Sequence, residues 1–261
     1  MFRYSYINSI GRKEINQDAL LLQTARYQQH EILFAAVCDG IGGLTGGEIA
    51  SSFVISQVAE WFSTEYANTL KEGKSILAIR QSLDDCLQRL NSEINTGTPN
   101  GTEMGTTFTS LLIDTVNQVT LTGHVGDTRL YKIFPDSVEI VTSDHSVIAE
   151  EVRRGIITEE EALHDSRQNQ ITNCIGAGET DRMYDYIIQK PCTECTYLLC
   201  SDGFRKMITK EEIRTFLSPE NNPDNDAIHE HLSALLDMNL QRNENDNITA
   251  LAVRYIKESD T

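Results

Sequence analysis

Two apolar runs in this chain each end at an aspartate that is followed by glycine. The first run leads to Asp39-Gly40, and the second leads to Asp202-Gly203. Each pattern predicts a buried strand that stops at a carboxylate and then turns sharply at the glycine. A third carboxylate, Asp246, stands just before the last apolar run. Carboxylates at strand ends supply the oxygen ligands that hard divalent cations require, so the pattern suggests a metal centre assembled from distant parts of the chain.

The length and composition are those of a folded protein with a sizeable core. The chain has 261 residues, of which 39% are hydrophobic, and this length fits one large domain or two small ones. Its 39 acidic residues outnumber 22 lysines and arginines, which gives a formal net charge of −17. Such an excess of negative charge argues against general binding to nucleic acids or to anionic membranes, which attract clustered cations.

The amino-terminal sequence and the cysteines indicate a reduced, cytoplasmic protein. No signal peptide is visible at the start, and the longest apolar run that we find, residues 32–38, is far too short to span a bilayer. Cys192 and Cys195 have the spacing of half a zinc site, but no second pair or matching histidine motif follows them. We therefore expect free thiols and no membrane or nucleic-acid partner.

The order of the predicted elements indicates an α+β protein. Strands near the amino terminus are followed by amphipathic helices over residues 47–66 and 74–94 and by a loop over residues 95–103. Four short strands in meander order are predicted over residues 108–141, and then a charged helix over residues 144–163. Two strands, two helices and a last strand complete the chain. Segregated runs of this kind are typical of antiparallel sheets covered by helices.

Five segments of the chain carry short motifs in a fixed order. The segments are Gly11-Arg-Lys-Glu-Ile-Asn-Gln-Asp18-Ala19, Cys38-Asp-Gly-Ile-Gly-Gly43 through Gly47-Glu-Ile-Ala-Ser51, Gly105-Thr-Thr107, His124-Val-Gly-Asp127-Thr-Arg-Leu-Tyr131, and Cys200-Ser-Asp-Gly203 with Asp246-Asn-Ile-Thr249. In their order and approximate spacing they resemble the metal-dependent type 2C serine/threonine protein phosphatases. A single Asp-Gly pair is weak evidence, but the ordered set is specific and covers nearly the whole chain.

The resemblance implies a fold and a chemistry. The fold is an α-β-β-α sandwich of two antiparallel sheets flanked by helices, with the site at one edge between the sheets. Residues 1–261 would form a single catalytic domain with a flap over residues 144–170. The implied activity is hydrolysis of phosphoserine and phosphothreonine in proteins by a hydroxide that bridges two Mg²⁺ or Mn²⁺ ions. The implied setting is a bacterial cytoplasm, where a monomer opposes a cognate Ser/Thr kinase.

The matched motifs also imply roles for individual residues. Asp39 would bridge the two ions, and Gly40 would offer its backbone carbonyl. Asp202 and Asp246 would complete the shell of the second ion. Asp18 would lie in or next to the first ion's shell and orient its water. These four aspartates are therefore the catalytic candidates as well as metal ligands.

Asp127 carries a separate expectation. In similar bacterial enzymes the matching aspartate helps to bind a third, weaker ion together with the counterpart of Asp202. The alternative is a turn residue, because Gly126 followed by Asp127 is also good turn chemistry between two strands.

The chain departs from the family pattern where substrate phosphate is gripped. The arginine that usually lies five residues before the Asp18 position is replaced by Lys13, with Arg12 one residue earlier. Alignment favours Lys13, whereas chemistry favours Arg12, since a guanidinium binds phosphate as a fork and an ammonium as a point charge. The alternative is that both are solvated loop charges. Gln17 stands where the family usually has an acidic residue, which removes one carboxylate near the metals.

Two histidines and two rival functions stay open. His145 and His164 flank the flap, where they would shape substrate access or donate a proton, unless they are ordinary surface residues. The first rival is a regulatory phosphoprotein-binding module of the same fold that is catalytically weak. The retained aspartates speak against it. The second rival is a different two-metal hydrolase, such as a nuclease, which the acidic composition disfavours.

Overall fold

The computed structural model describes residues 1–41, 46–97, 103–162, 164–178 and 183–257. Gly42 and Gly43 of the second motif, and most of the predicted loop 95–103, lie outside these ranges. The strands are β1 (Phe2–Ser9), β2 (Asp18–Tyr27), β3 (His30–Asp39), β4 (Gly105–Thr106), β5 (Phe108–Asp114), β6 (Val119–Val125), β7 (Arg129–Ile133), β8 (Val138–Ile140), β9 (Ile175–Gly176), β10 (Asp185–Gln189), β11 (Thr196–Cys200) and β12 (Ile248–Tyr255). The helices are α1 (Gly47–Trp61), α2 (Ala67–Lys71), α3 (Ile76–Gly97), α4 (Val147–Arg153), α5 (Glu159–Ala162), α6 (Asp202–Arg205), α7 (Lys210–Leu217) and α8 (Asn225–Gln241).

Within the described ranges the strands form two five-stranded antiparallel sheets and one short two-stranded pair. The first sheet has the order β1-β12-β11-β7-β8, and the second has the order β10-β6-β5-β3-β2. β4 pairs with β9. The first and last strands pair along their whole length, with Phe2 opposite Tyr255, so that distant parts of the chain close the first sheet.

The apolar run of β3 is uninterrupted because both faces of this strand are buried. Phe34 packs on one face with residues of α1 and α3, whereas Leu33 packs on the other face with residues of the first sheet. Side chains of a strand alternate between the two faces, so a strand that is buried on both faces requires apolar residues at every position. The run thus places Asp39 at the end of a strand in the middle of the molecule.

Three buried apolar clusters separate four layers. One cluster joins the second sheet to α1 and α3, another lies between the two sheets, and the last joins the first sheet to α6, α7 and α8. The predicted α-β-β-α sandwich of two antiparallel sheets flanked by helices is therefore confirmed.

The predicted four-stranded meander is wrong in one respect. β5 pairs with β6 in the second sheet, but β7 pairs with β8 in the first. The chain crosses from one sheet to the other at Gly126, Asp127 and Thr128, and Gly126 has a φ of +102°. Local spacing predicts strands but not the sheet that each one joins, because sheet membership depends on distant partners.

The single charged helix predicted over residues 144–163 is also wrong. The described part of this region forms α4 and α5, separated by Gly155, which has a φ of +68°. Glycine in this left-handed conformation commonly ends a helix. The segment is closed at its base, where the amide of Val147 donates to the carbonyl of Gln170 and the amide of Thr172 donates to that of His145.

Helix boundaries elsewhere differ from the predictions by a few residues. The predicted helix 47–66 is α1 followed by a π-helical turn, Phe62–Tyr66. The predicted helix 74–94 extends to Gly97 as α3. No helix in the described ranges has both the length and the apolar character that crossing a membrane demands.

Candidate metal centre

Asp18 and Asp39 are direct neighbours across two strands. Asp18 begins β2 and Asp39 ends β3, and the two residues are paired in the antiparallel register. The side chain of Asp18 is buried, with the whole residue 7% exposed. Cross-strand pairs have Cβ atoms about 4.5–5.5 Å apart, so like charges at these positions repel unless a cation lies between them.

Asp202 and Asp246 lie at the corresponding end of the other sheet. β11 ends just before Asp202 and β12 begins just after Asp246, and these strands are antiparallel neighbours. Gly203 lies in the first turn of α6, where an added Cβ would overlap the carbonyl of Asn247 and lie 3.0 Å from the Cβ of Asp246. The sequence predicted that Gly203 permits a sharp turn. The structure shows that it permits a close approach between α6 and the chain before β12.

Hydrogen bonds join the two sheet edges around these aspartates. The Ser201 hydroxyl donates to Oδ2 of Asp18 over 2.9 Å. The amide of Gln17 donates to Oδ1 of Asn247 over 2.9 Å, and the amide group of Asn247 donates to the carbonyls of Ile10 and Ile15. Side chains from opposite ends of the chain thus hold the acidic residues in one place.

Threonines and a close backbone contact support Asp39 and Gly40. The amide of Asp39 donates to Oγ1 of Thr107 over 2.9 Å, and Oγ1 of Thr106 donates to the Asp39 carbonyl over 3.0 Å. An added Cβ at Gly40 would overlap the carbonyl of Gly47, so only glycine fits there.

Burial and mutual repulsion raise the pKa values of the clustered carboxyl groups. Burial, together with the charges of Asp202 and Asp246, raises the pKa of Asp18 to about 7, against hydrogen bonds from Thr249 and Ser201 that lower it. The pKa of Asp39 lies well above its usual range because of burial and of the charges of Asp18, Asp202, Asp127 and Asp246. These mutual effects show that the aspartates predicted as ligands lie within electrostatic range of one another.

The carboxylate oxygens of the clustered aspartates are chemically suited to bind divalent cations. Oδ1 of Asp18 and Oδ1 of Asp202 are buried and have no hydrogen-bond partner among the described residues. Buried carboxylate oxygens are costly unless a cation or a donor satisfies them, and oxygen is the ligand that Mg²⁺ and Mn²⁺ prefer. Within the described ranges no group of three or more His, Cys, Asp or Glu side chains is arranged so that it could already hold a metal ion.

Ammonium groups contact both aspartates predicted for the second ion. Nζ of Lys13 lies 3.1 Å from Oδ1 of Asp246, and Nζ of Lys206 lies 2.5 Å from Oδ2 of Asp202. Lys206 is not part of the family motifs, but it stands four residues after Asp202 in a helical turn, and this is a recognisable ion-pair spacing in the sequence.

Arg12 and Lys13 point to different places. Nη2 of Arg12 donates to the carbonyl of Leu240 over 3.0 Å and to Oδ1 of Asn243 over 2.9 Å, at the carboxyl-terminal end of α8. Lys13 is the residue that contacts the acidic cluster, through Asp246.

Asp127 lies at the crossing between the sheets and contacts Arg205, a mostly buried arginine. Its carbonyl and its Oδ2 lie 3.1 and 3.4 Å from Nη2 of Arg205. Burial and the charge of Asp202 raise the pKa of Asp127 to about 6, although Arg205 lowers it. Arg205 could not be predicted from the sequence, because no local pattern pairs residues 127 and 205.

The two flap histidines have different environments. Nδ1 of His145 accepts a hydrogen bond from the amide of Gly126 over 3.3 Å, and its Nε2 lies 3.1 Å from Oδ2 of Asp185. His145 therefore joins the base of the flap to the turn that presents Asp127. His164 is exposed in the flap.

Comparison with known proteins gives the same class of protein as the fold and the acidic site. A model of the protein phosphatase 2C family matches residues 8–237. A type 2C protein phosphatase of Streptococcus pyogenes is 30% identical over 261 residues, which cover 98% of each chain. The crystal structure of a serine/threonine phosphatase from Staphylococcus aureus superimposes with a TM-score of 0.81 at 25% identity, covering 98% of this chain and 96% of that one.

A further solved structure is similar in fold. It is the catalytic domain of a serine/threonine protein phosphatase in complex with two manganese ions, with a TM-score of 0.74, 24% identity, and coverage of 98% of this chain and 99% of that one. At this identity the likeness shows the fold alone.

The fold, the site and these matches define a metal-dependent protein-serine/threonine phosphatase. The chain belongs to the protein phosphatase 2C family. Its substrates are therefore phosphorylated proteins, and its activity requires a divalent metal ion.

Proposed function

We propose that Asp18, Asp39, Asp202, Asp246 and the carbonyl of Gly40 hold two Mg²⁺ or Mn²⁺ ions with which the chain hydrolyses phosphoserine and phosphothreonine in proteins. When bound, such an ion pair supplies an activated water as nucleophile and neutralises charge on the phosphoryl oxygens. The observation that carries the proposal is the cluster of buried and half-buried carboxylates, in which the buried Asp18 and Asp202 each keep one oxygen without a partner in the described chain.

Different residues around the proposed centre hold Asp18 and Asp39 in position. Ser201 holds Oδ2 of Asp18, which leaves Oδ1 for an ion or its water. Thr106 and Thr107 fix the backbone of Asp39, so that its carboxylate starts from a rigid strand end. Fixing ligands in advance lowers the reorganisation that metal binding and reaction require.

Lys13 is proposed to bind the substrate phosphate. Its side chain is 43% exposed and already lies beside Asp246, so its ammonium group can exchange that carboxylate for a phosphoryl oxygen near the ions. Arg12 is engaged at the end of α8, and we assign it a structural role.

The proposed setting extends the sequence predictions. We propose that residues 1–261 form one catalytic domain with a flap over residues 144–170, acting as a monomer in a bacterial cytoplasm against a cognate Ser/Thr kinase. The coverage of both sheets by helices supports the first part, since among the described residues helices pack on the outer face of each sheet.

Phosphate release tests the proposed function. The substrate is a phosphothreonine peptide, measured with Mn²⁺ and then with EDTA, for the wild type, Asp39→Asn and the control Asp237→Asn on the exposed face of α8. EDTA should abolish turnover. Asp39→Asn should lower it by roughly a hundredfold or more, because changes even to groups that only support a metal ligand cost roughly 10- to 100-fold. Asp237→Asn should match the wild type.

Turnover that survives EDTA, or an Asp39→Asn variant as active as Asp237→Asn, would contradict this mechanism. A folded wild-type chain that binds phosphopeptide but releases no phosphate with either Mg²⁺ or Mn²⁺ would instead indicate the phosphoprotein-binding module.

A further inference from the structure

We propose that Arg205 and Lys206 take the place of a third divalent ion, so that this chain binds two ions and not three. The inference rests on the proposed function, because it concerns the same acidic site. It runs against the expectation that Asp127 and Asp202 together recruit a third, weaker ion.

The guanidinium of Arg205 already neutralises Asp127. The Arg205 side chain is 15% exposed, and its Nη2 lies 3.4 Å from Oδ2 of Asp127 and 3.4 Å from Oδ2 of Asp144. Arg129 holds Asp144 from the other side, with Nε and Nη2 at 2.8 and 2.7 Å from the two carboxylate oxygens. Two guanidinium groups therefore balance the carboxylates of Asp127 and Asp144, which weakens the attraction of Asp127 for a further divalent ion.

Lys206 occupies the other carboxylate that a third ion would need. Its Nζ lies 2.5 Å from Oδ2 of Asp202, whereas Oδ1 of Asp202 has no partner among the described residues. Asp202 thus keeps one oxygen for the two-ion centre and gives the other to the ammonium group. A third ion would have to displace Lys206 and Arg205 together.

The two cations are consecutive residues at the end of α6, the short helix that begins at Asp202. One turn of helix places Lys206 over Asp202, as expected for residues four apart, while Arg205 reaches the crossing between the sheets. The cations are therefore delivered to both carboxylates by the element that carries Asp202.

Counting bound Mn²⁺ tests this inference directly. The full chain is freed of metal and titrated with Mn²⁺ up to millimolar concentrations, with free Mn²⁺ followed by electron paramagnetic resonance. We expect two ions for the wild type and two for Asp127→Asn. We expect a third, weaker ion in the double variant R205Q/K206M, and its loss when Asp127→Asn is added.

A second variant keeps the test valid if R205Q/K206M does not fold. Lys206→Met alone removes the ammonium that competes for Asp202, so Mn²⁺ should bind with a dissociation constant lowered by roughly fivefold, as for the loss of a partly exposed ion pair. The control is Lys210→Met, at the exposed start of α7, which should bind Mn²⁺ like the wild type.

Three outcomes would overturn the inference. A wild type that binds three ions, with Asp127→Asn binding two, would show that the third site exists. Lys206→Met with unchanged affinity would show that the ammonium does not compete. A wild type that binds no Mn²⁺ would overturn the proposed function and this inference with it, whereas the other two outcomes leave the two-ion centre standing.

Discussion

At the scale of one residue, Asp18 shows how a site of clustered carboxylates lowers the stability of the folded protein without metal. Burial and the neighbouring carboxylates raise its pKa to about 7 from its ordinary value of 3.8. Between these pH values the folded state without metal holds a proton that the unfolded chain has released. The free energy of unfolding therefore falls as pH rises across this window, because the contribution of a group with a raised pKa is present at low pH and lost above it.

Asp18→Asn should remove this conflict. At pH 7 and in EDTA we expect the variant to be more stable than the wild type by about 1–3 kcal/mol, since one repelling buried charge is gone. It should also lose most of the stabilisation that Mn²⁺ gives the wild type. Urea unfolding at pH 5 and pH 7, with and without Mn²⁺, measures both effects. A stability difference between the two proteins that is the same at both pH values would speak against the raised pKa.

Lys13 and Arg12 are neighbours in the sequence, but we expect their substitution to affect different properties: catalysis for Lys13 and stability for Arg12. Lys13→Ala should lower kcat/KM for a phosphopeptide roughly 10- to 100-fold at saturating Mn²⁺, the cost of one charge-assisted hydrogen bond to phosphate. Arg12→Ala should leave kcat/KM near the wild-type value and lower the free energy of unfolding by about 0.5–2 kcal/mol, because it removes donors from the end of α8. Steady-state kinetics and urea unfolding of both variants separate these roles, and the reverse pattern would assign the phosphate to Arg12.

At the scale of elements, strand β3 could be predicted well and the crossing between sheets could not. The apolar run of residues 32–38 indicates a strand buried on both faces, which is what the structure shows. No local feature marks Gly126 as the point where the chain changes sheets. The sheet that β7 joins is set by its pairing with β8 and with β11, and β11 is distant in the sequence. Gly155 interrupts the predicted flap helix, but the charged residues on both sides of it also fit one continuous helix, so the sequence alone does not place the break.

The contact of α6 with the chain before β12 gives a prediction at the same scale. In Gly203→Ala the new methyl group would overlap the carbonyl of Asn247, so α6 must move away from Asp246. We expect a loss of about 1–3 kcal/mol in the free energy of unfolding, the usual cost of an overpacked core, together with weaker Mn²⁺ binding. Ala234→Gly in the middle of α8 is a control for a general loss of stability. It should cost about 1 kcal/mol without altering Mn²⁺ affinity. Unchanged Mn²⁺ affinity in Gly203→Ala would show that this contact does not hold the site.

At the scale of the whole molecule, the four layers bring the proposed ligands together. The aspartates come from positions 18, 39, 202 and 246, and they meet because β2 and β3 belong to one sheet while β11 and β12 belong to the other. The family motifs predicted the identities of these residues from sequence. The cations that accompany them, Lys13, Arg205 and Lys206, needed the structure, since their partners depend on how the two sheets pack.

The formal net charge of −17 is not spread evenly over the molecule. Part of the negative charge is concentrated at the edge between the sheets, where mutual repulsion raises the pKa values of Asp18, Asp39 and Asp127. A folded protein retains such a cluster at a cost in stability, and the cost is consistent with a site selected for binding cations.

The position of bound manganese tests the central claim most directly. Crystals grown with Mn²⁺ and measured at the manganese absorption edge give anomalous difference density that locates each ion without reference to activity. We predict two peaks, both next to Asp39, with Asp18, Asp202 and Asp246 around them and none at Asp127. Peaks away from these aspartates, or none in crystals soaked with excess Mn²⁺, would contradict the two-ion centre at the edge between the sheets.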